Sequence, residues 1–318
     1  MLFIQRFNID HYMNKNIKTI ELNLIKALIE KELNLAISEI KIISNFNNIV
    51  YKMITNRGQY ILKVITNQNT ETYLDYYYFK KLGKLIPEFN QILFSFKKNK
   101  YLKRNFIVSK YIEGVPLSGI LYKNCDMEII AENLLKFYKR FNNISVSGYG
   151  NATYDFKAPY SSWKEAIESQ LIKIEKRSNE FNNYTDRKYT DLLRNSYHLI
   201  DRQFEATLFP ADFNLNNFIL TKESKIKIIE SEYYYIGDPL VPYGALLTHI
   251  YRTKLVGIFF KKIQNKNLKI LSFYAVLEAI SVWSFNFMMQ NRNPTGARPF
   301  GNKNTFHKII EEFSKNLL

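Results

Sequence analysis

The stretch LFPADFNLNNFIL, residues 208 to 220, sets one carboxylate and three amides, Asp212, Asn214, Asn216 and Asn217, between apolar flanks. Such flanks read as the entry to and exit from buried strands, whereas a solvent loop is expected to carry Gly, Ser or Lys. Short polar groups held there need partners. Backbone hydrogen bonds, a partner charge, or a metal ion that takes them as ligands would each serve.

The whole chain limits what can surround this loop. Its 318 residues are enough for two lobes with a large core, and a content of 46% hydrophobic and 15% aromatic residues excludes disorder. A single cysteine, Cys125, excludes an intramolecular disulfide framework and fits a reducing compartment. The opening MLFIQRFNIDHYMNKN has no small-residue cleavage site, so no secretory signal is expected. Leu246 to Phe260, read as the longest mostly apolar stretch, is interrupted by His249, Arg252 and Lys254, which predicts a buried helix and not a membrane span. A soluble cytoplasmic protein is the expectation. The net charge of +16 invites a nucleic-acid partner, but the lysines are scattered. Their densest cluster, FKKNKYLKR, reads as the turn of a hairpin between QILFSF and NFIVSKYI, and no nucleic-acid module is evident.

The elements that would position the loop begin at residue 17. Residues 17 to 33 show helical spacing, and the strand-like runs ISEIKIIS, NIVYKMIT and QYILKVI follow, with the turn signal Asn56-Arg57-Gly58 between the last two. NTETYLDYYYFKKLGKL then places Glu71, Asp75, Tyr78 and Leu82 on one helical face. IPEFNQILFSF and NFIVSKYI add two strands, and after Gly114 the chain turns largely helical.

This order resembles the small lobe of protein-kinase-like folds. Lys63 and Ile61 share a strand face, where an ammonium can hold nucleotide phosphates and an apolar side chain can cover adenine. A solvent-facing lysine on an edge strand is the plain alternative. The carboxylate that fixes such a lysine would come from the next helix, Asp75 by position, with Glu71 one turn earlier also open. In FIVSKYIEGVPLSG the resemblance implies that the Lys110 carbonyl and the Ile112 amide would be the adenine contacts.

The chain is similar to the aminoglycoside phosphotransferase and choline kinase family, from about residue 38 to 250. PADFNLNNFIL stands where the family reads H-G-D-x-x-x-x-N, Glu230 falls at its acidic metal-binding position, and Gly237-Asp238-Pro239 reproduces a downstream turn. The resemblance implies an α+β, bilobal protein-kinase-like fold: a small antiparallel-sheet lobe with hinge over residues 1–112 and a larger, mostly helical catalytic and substrate lobe over 113–318. It implies transfer of the γ-phosphate of ATP or GTP to a small-molecule hydroxyl, with Asp212 as base, Asn214 near the transferring phosphate, and Asn217 and Glu230 on Mg²⁺. Glu232 and Asp238 are the next metal candidates. Pro210 and Ala211 replace the family's His and Gly, Glu230 replaces Asp, and SNFNNIVYKM has no glycine. Asn47 and Asn48 could stand in for that glycine, and Asn48 matches an Asn common in the family. A nucleotide-binding protein without transfer activity is the alternative reading.

For the acceptor, Trp163, His249, Arg252, Tyr274, Glu278 and Trp283 are candidates, each with a plain core-packing alternative. From Leu240 onward eleven Lys or Arg face three acids, Glu278, Glu311 and Glu312, which argues against a polycationic acceptor. A neutral sugar or anionic metabolite fits better, and choline stays open if Glu278 lies close to Trp283.

Overall fold

A computed structural model describes residues 19–45, 48–65, 80–120, 126–180, 187–229, 233–251, 253–263, 267–292 and 303–318. The chain divides into two compact units, Met1–Gly114 with Lys227–Glu230, and Val115–Ile226 with Ser231–Leu318. The fold is α+β, a five-stranded antiparallel sheet followed by a larger helical portion.

In the first unit α1 (Thr19–Leu33) is followed by β1 (Ile37–Asn45), β2 (Ile49–Thr55), β3 (Gly58–Val64), β4 (Ile92–Phe96) and β5 (Phe106–Lys110), in sheet order β1-β2-β3-β5-β4. The β2–β3 turn closes on Gly58, whose φ of +116° favours glycine, and Thr55 Oγ1 donates to its carbonyl at 2.9 Å. Alternation then sorts the strands into two faces. Ile49, Tyr51, Met53, Leu62, Val64, Phe106 and Val108 pack with Ile25 and Ile29 of α1 in one core. Burying each of those two isoleucines stabilises the fold by roughly 1.5–3 kcal/mol relative to exposure, so a charge at either position would detach the helix. Lys63 and Ile61 consequently lie on the opposite face, Lys63 in register with Val50 on one side and Ile107 on the other.

The basic cluster before β5 is a hairpin turn, as its sequence suggests: Asn99 N–H donates to Leu102 O, and Asn99 Oδ1 accepts from the Tyr101 and Leu102 amides. Lys97, Lys98, Lys100 and Lys103 are exposed around it. Residues Lys227–Glu230 join this unit through hydrogen bonds from Ile228 N–H to Glu88 O at 2.8 Å and from Asn90 N–H to Ile228 O at 3.0 Å.

The second unit holds the helices α2 (Leu117–Ile120), α3 (Met127–Arg140), α4 (Trp163–Glu180), α5 (Arg187–Asn195), α6 (Val241–Ile250), α7 (Leu255–Ile263), α8 (Leu268–Arg292) and α9 (Lys303–Ser314). Further strands along the chain are β6 (Gly114–Pro116), β7 (Gly150–Asn151), β8 (Thr207–Pro210), β9 (Phe218–Thr221), β10 (Ile226–Ile228) and β11 (Tyr234–Gly237), of which β7, β11 and β8 form an antiparallel sheet in that order. Asp126 caps α3, accepting from the Glu128 and Ile129 amides. Arg194 ties α5 to α4 through Glu168 at 2.9 Å and Glu175 at 2.6 Å, and its guanidinium holds both carboxyls below their usual range.

The apolar stretch from Leu246 to Phe260 proves to be two helices, the end of α6 and most of α7. The longer apolar run lies further on. Among the described residues, Leu268–Asn286 within α8 is one segment long and apolar enough to cross a membrane, and 67% of its apolar window is buried inside the protein. Its length escaped the sequence reading because Lys269, Ser272 and Glu278 break the run into shorter pieces.

Candidate active site

The loop around Asp212 is built by backbone at its edges and by side chains within. β8 pairs with β11 as far as Pro210 opposite Tyr234, and the next residue, Ala211, donates its N–H to Tyr233 O at 2.9 Å. A proline therefore ends the strand where its missing N–H costs nothing, and the bracing comes from the backbone. Residues Leu215–Asn217 form a 3₁₀ turn capped by Asn214, whose Oδ1 accepts from Asn216 N–H at 3.0 Å. That turn delivers the chain to β9 (Phe218–Thr221). Asn216 also accepts a short hydrogen bond from Ser118 Oγ of α2.

Asp212 is half-buried, and its carboxylate faces inward along the loop. Oδ1 accepts from Asn214 N–H at 2.9 Å and Oδ2 from Asn217 Nδ2 at 2.8 Å. Each oxygen keeps a lone pair for an incoming proton donor. Asn217 is 6% exposed. Because it gives its NH₂ to Asp212, its amide oxygen faces away from the carboxylate, the orientation a cation ligand requires.

Side chains distant in sequence surround the loop. Tyr138 of α3 is buried, and among the described residues its hydroxyl has no hydrogen-bond partner. Burial pushes that phenol well above its ordinary range, and the Asp212 and Glu278 charges add to the shift, so it stays a neutral O–H donor. Its ring lies 6.1 Å from Phe213 and 6.3 Å from Tyr243. His249 Nε2 of α6 and Glu278 Oε1 of α8 are 2.8 Å apart, and the His249 ring is 6.1 Å from Phe213. The structure thus brings His249 and Glu278 together beside the Asp212 loop. Tyr138 and Tyr243 were missed, since an aromatic at helical spacing reads as core.

Other candidates serve elsewhere. Trp163 Nε1 donates to Tyr274 Oη at 2.8 Å, and Tyr274 donates to Asp238 Oδ2 at 2.8 Å. Arg202 contacts both Asp238 oxygens at 2.7 Å. This buried network explains the Gly-Asp-Pro turn: a Cβ at Gly237 would meet the Trp163 ring at 2.3 Å. It also removes Asp238 as an alternative metal ligand, since that carboxylate is fully buried and occupied by protein donors. Trp283 packs on His307 with ring centroids 4.4 Å apart, so the Trp283 ring is committed to α9. Arg252 lies outside the described residues.

Within the first unit, Asn48 precedes β2 and Lys63 and Ile61 are half-buried on the face opposite α1. Ile112 is half-buried just past β5. The Lys110 carbonyl already accepts Asn90 Nδ2 at 2.9 Å, which leaves it one lone pair. Glu71, Asp75, Asn47, Glu230 and Glu232 lie outside the described residues. Among the described residues no group of three or more His, Cys, Asp or Glu could hold a metal. The Asn217 amide oxygen, turned away from Asp212, is nonetheless the kind of neutral oxygen donor that suits a hard cation such as Mg²⁺.

No protein-family model matches the chain, and no curated protein does. Solved structures do. A thermostable mutant of aminoglycoside phosphotransferase APH(4)-Ia, in ternary complex with ADP and hygromycin B, superposes with a TM-score of 0.68 at 12% identity, covering 92% of this chain and 98% of that one. Spectinomycin phosphotransferase APH(9)-Ia, in complex with ADP and spectinomycin, gives 0.58 at 15% identity over 93% and 97%. LicA in complex with AMP gives 0.57 at 16% identity over 95% and 99%. At such identities the likeness establishes the fold, that of the aminoglycoside phosphotransferases.

Proposed function

We propose that this chain is a Mg²⁺-dependent small-molecule kinase that transfers the γ-phosphate of ATP or GTP to a hydroxyl of a sugar, an amino alcohol or an antibiotic-like metabolite. The observation that carries the reading is the Asp212 carboxylate, held by Asn214 N–H and Asn217 Nδ2 with a lone pair left on each oxygen. The fold matches structures that contain ADP or AMP, which supports a nucleotide co-substrate.

In this reading Asp212 orients the acceptor hydroxyl and takes its proton as the oxygen attacks the γ-phosphorus. The new O–P bond forms as the bond from the γ-phosphorus to the β,γ-bridging oxygen breaks, and the nucleoside diphosphate leaves. Asn214 contacts the transferring phosphate through its NH₂, because its oxygen caps the 3₁₀ turn. Asn217 and Glu230 would hold Mg²⁺, which when bound supplies positive charge to the phosphate oxygens.

Residues 1–112 hold the nucleotide. Lys63 engages phosphates, Ile61 covers the base, Asn48 borders the phosphates, and the Lys110 carbonyl and Ile112 amide read the base edge. Asp75, or Glu71, steadies Lys63. Residues 113–318 supply the catalytic loop and an acceptor subsite formed by Glu278, His249 and the Tyr138 hydroxyl. One carboxylate paired to a histidine suits a compact acceptor and not a polycation. An ATP co-substrate would suit a cytoplasmic protein.

A nucleotide-consumption screen against sugars, amino alcohols, other hydroxyl metabolites and antibiotics tests this. Turnover on one acceptor, with stoichiometric phosphoester, is expected. ADP binding without turnover on any acceptor would favour the non-transferring reading instead.

A further inference from the structure

The peptide between Lys110 and Tyr111, where β5 ends, is held at both of its polar atoms. Its carbonyl oxygen accepts Asn90 Nδ2 at 2.9 Å, and its N–H donates to Gln59 O at 3.1 Å. Asn90 is only 8% exposed and is anchored in turn, its own N–H donating to Ile228 O at 3.0 Å. The Tyr111 side chain is held as well, with the Lys52 ammonium 4.1 Å from its ring centroid.

A peptide free to turn over can offer a ligand either its oxygen or its N–H. This one cannot turn without breaking both bonds at once, so it offers oxygen alone, with the lone pair Asn90 leaves. An acceptor fixed there matches a base edge carrying an exocyclic amine. A base with a carbonyl at that place sets oxygen against oxygen and leaves both without a donor.

We propose that Asn90 is a specificity-determining positioning residue: by fixing the Lys110 carbonyl it commits the chain to adenine nucleotides and against guanine nucleotides. The inference rests on the reading of residues 1–112 as nucleotide-binding. Asn90 acts through Lys110 and does not itself touch the base.

Calorimetric titration of the full chain with ADP and with GDP, each with Mg²⁺, tests it on the wild type, Asn90→Leu and Asn90→Ser. Leucine removes the donor at similar volume, and serine keeps a shorter donor. The wild type should bind ADP at least about tenfold more tightly than GDP, the leucine variant should narrow that ratio to within about threefold, and the serine variant should fall between. Equal wild-type affinities, a preference for GDP, or a uniform loss with the ratio preserved would overturn the role of Asn90 while leaving the nucleotide reading in place. Binding of neither nucleotide by the wild type would overturn both. If Asn90→Leu melts before titration, the wild-type ratio and the serine variant decide.

Discussion

Asn217 donates its side-chain amide to Asp212 Oδ2 at 2.8 Å, across a five-residue spacing. One amide can thus do two things: its NH₂ aims the carboxylate, and its oxygen, turned the other way, is left for the proposed cation. In the proposed reaction the base and the metal would be linked through this single side chain.

Asn217→Ala should therefore lose more than a ligand. Turnover is expected to fall by at least about a hundredfold, as when a positioned base is lost, and the Mg²⁺ concentration for half-maximal rate should rise. Glu230→Ala should raise the Mg²⁺ requirement too, without disturbing Asp212. Mg²⁺ titrations of initial rate separate the two, and an unchanged metal requirement in both would move the metal site elsewhere.

The proposed acceptor subsite predicts a split in kinetic constants. Glu278→Gln removes the charge opposite His249, at 2.8 Å in the structure, while leaving Asp212 in place. KM for the acceptor should rise about tenfold or more, as expected on losing a hydrogen bond to a charged group. KM for the nucleotide should stay near the wild-type value. Equal changes in both constants would mean that the pair only holds α6 to α8.

Acid should weaken the second unit through Arg194. Glu168 and Glu175 have folded-state values below their ordinary ones because Arg194 hydrogen-bonds both carboxylates. Their contribution is present above the unfolded carboxylate range and is lost as pH falls through the lowered folded values. Arg194→Met should cost about 1 kcal/mol at neutral pH, a modest figure because the pairs are partly exposed. Urea melts of wild type and variant should differ at pH 7 and converge as pH falls below about 4. A constant gap across that range would assign the effect to packing.

What was legible in the sequence was local. Gly58 announced a hairpin, period-two alternation put Lys63 and Ile61 on one face, and the Asp212 to Asn217 spacing described a loop that closes on itself. Contacts between distant segments left no such trace. Nothing near Tyr138 marks a buried hydroxyl beneath the loop, and His249 and Glu278 meet only because α6 packs on α8. Trp163 and Tyr274 were offered to an acceptor, yet tertiary packing binds them to Asp238 and Arg202. The Lys110 carbonyl looked open because its partner, Asn90, lies twenty residues earlier on another strand connection.

The central claim is that Asp212 accepts the acceptor's proton. Asp212→Asn keeps the size of the side chain but removes its basicity and one of its two acceptor oxygens, so the comparison to make is single-turnover phosphoryl transfer by wild type and variant, beside ADP affinity for each. Transfer should slow by at least about a hundredfold while ADP affinity stays within about threefold. Transfer at the wild-type rate by a folded Asp212→Asn protein would contradict the account.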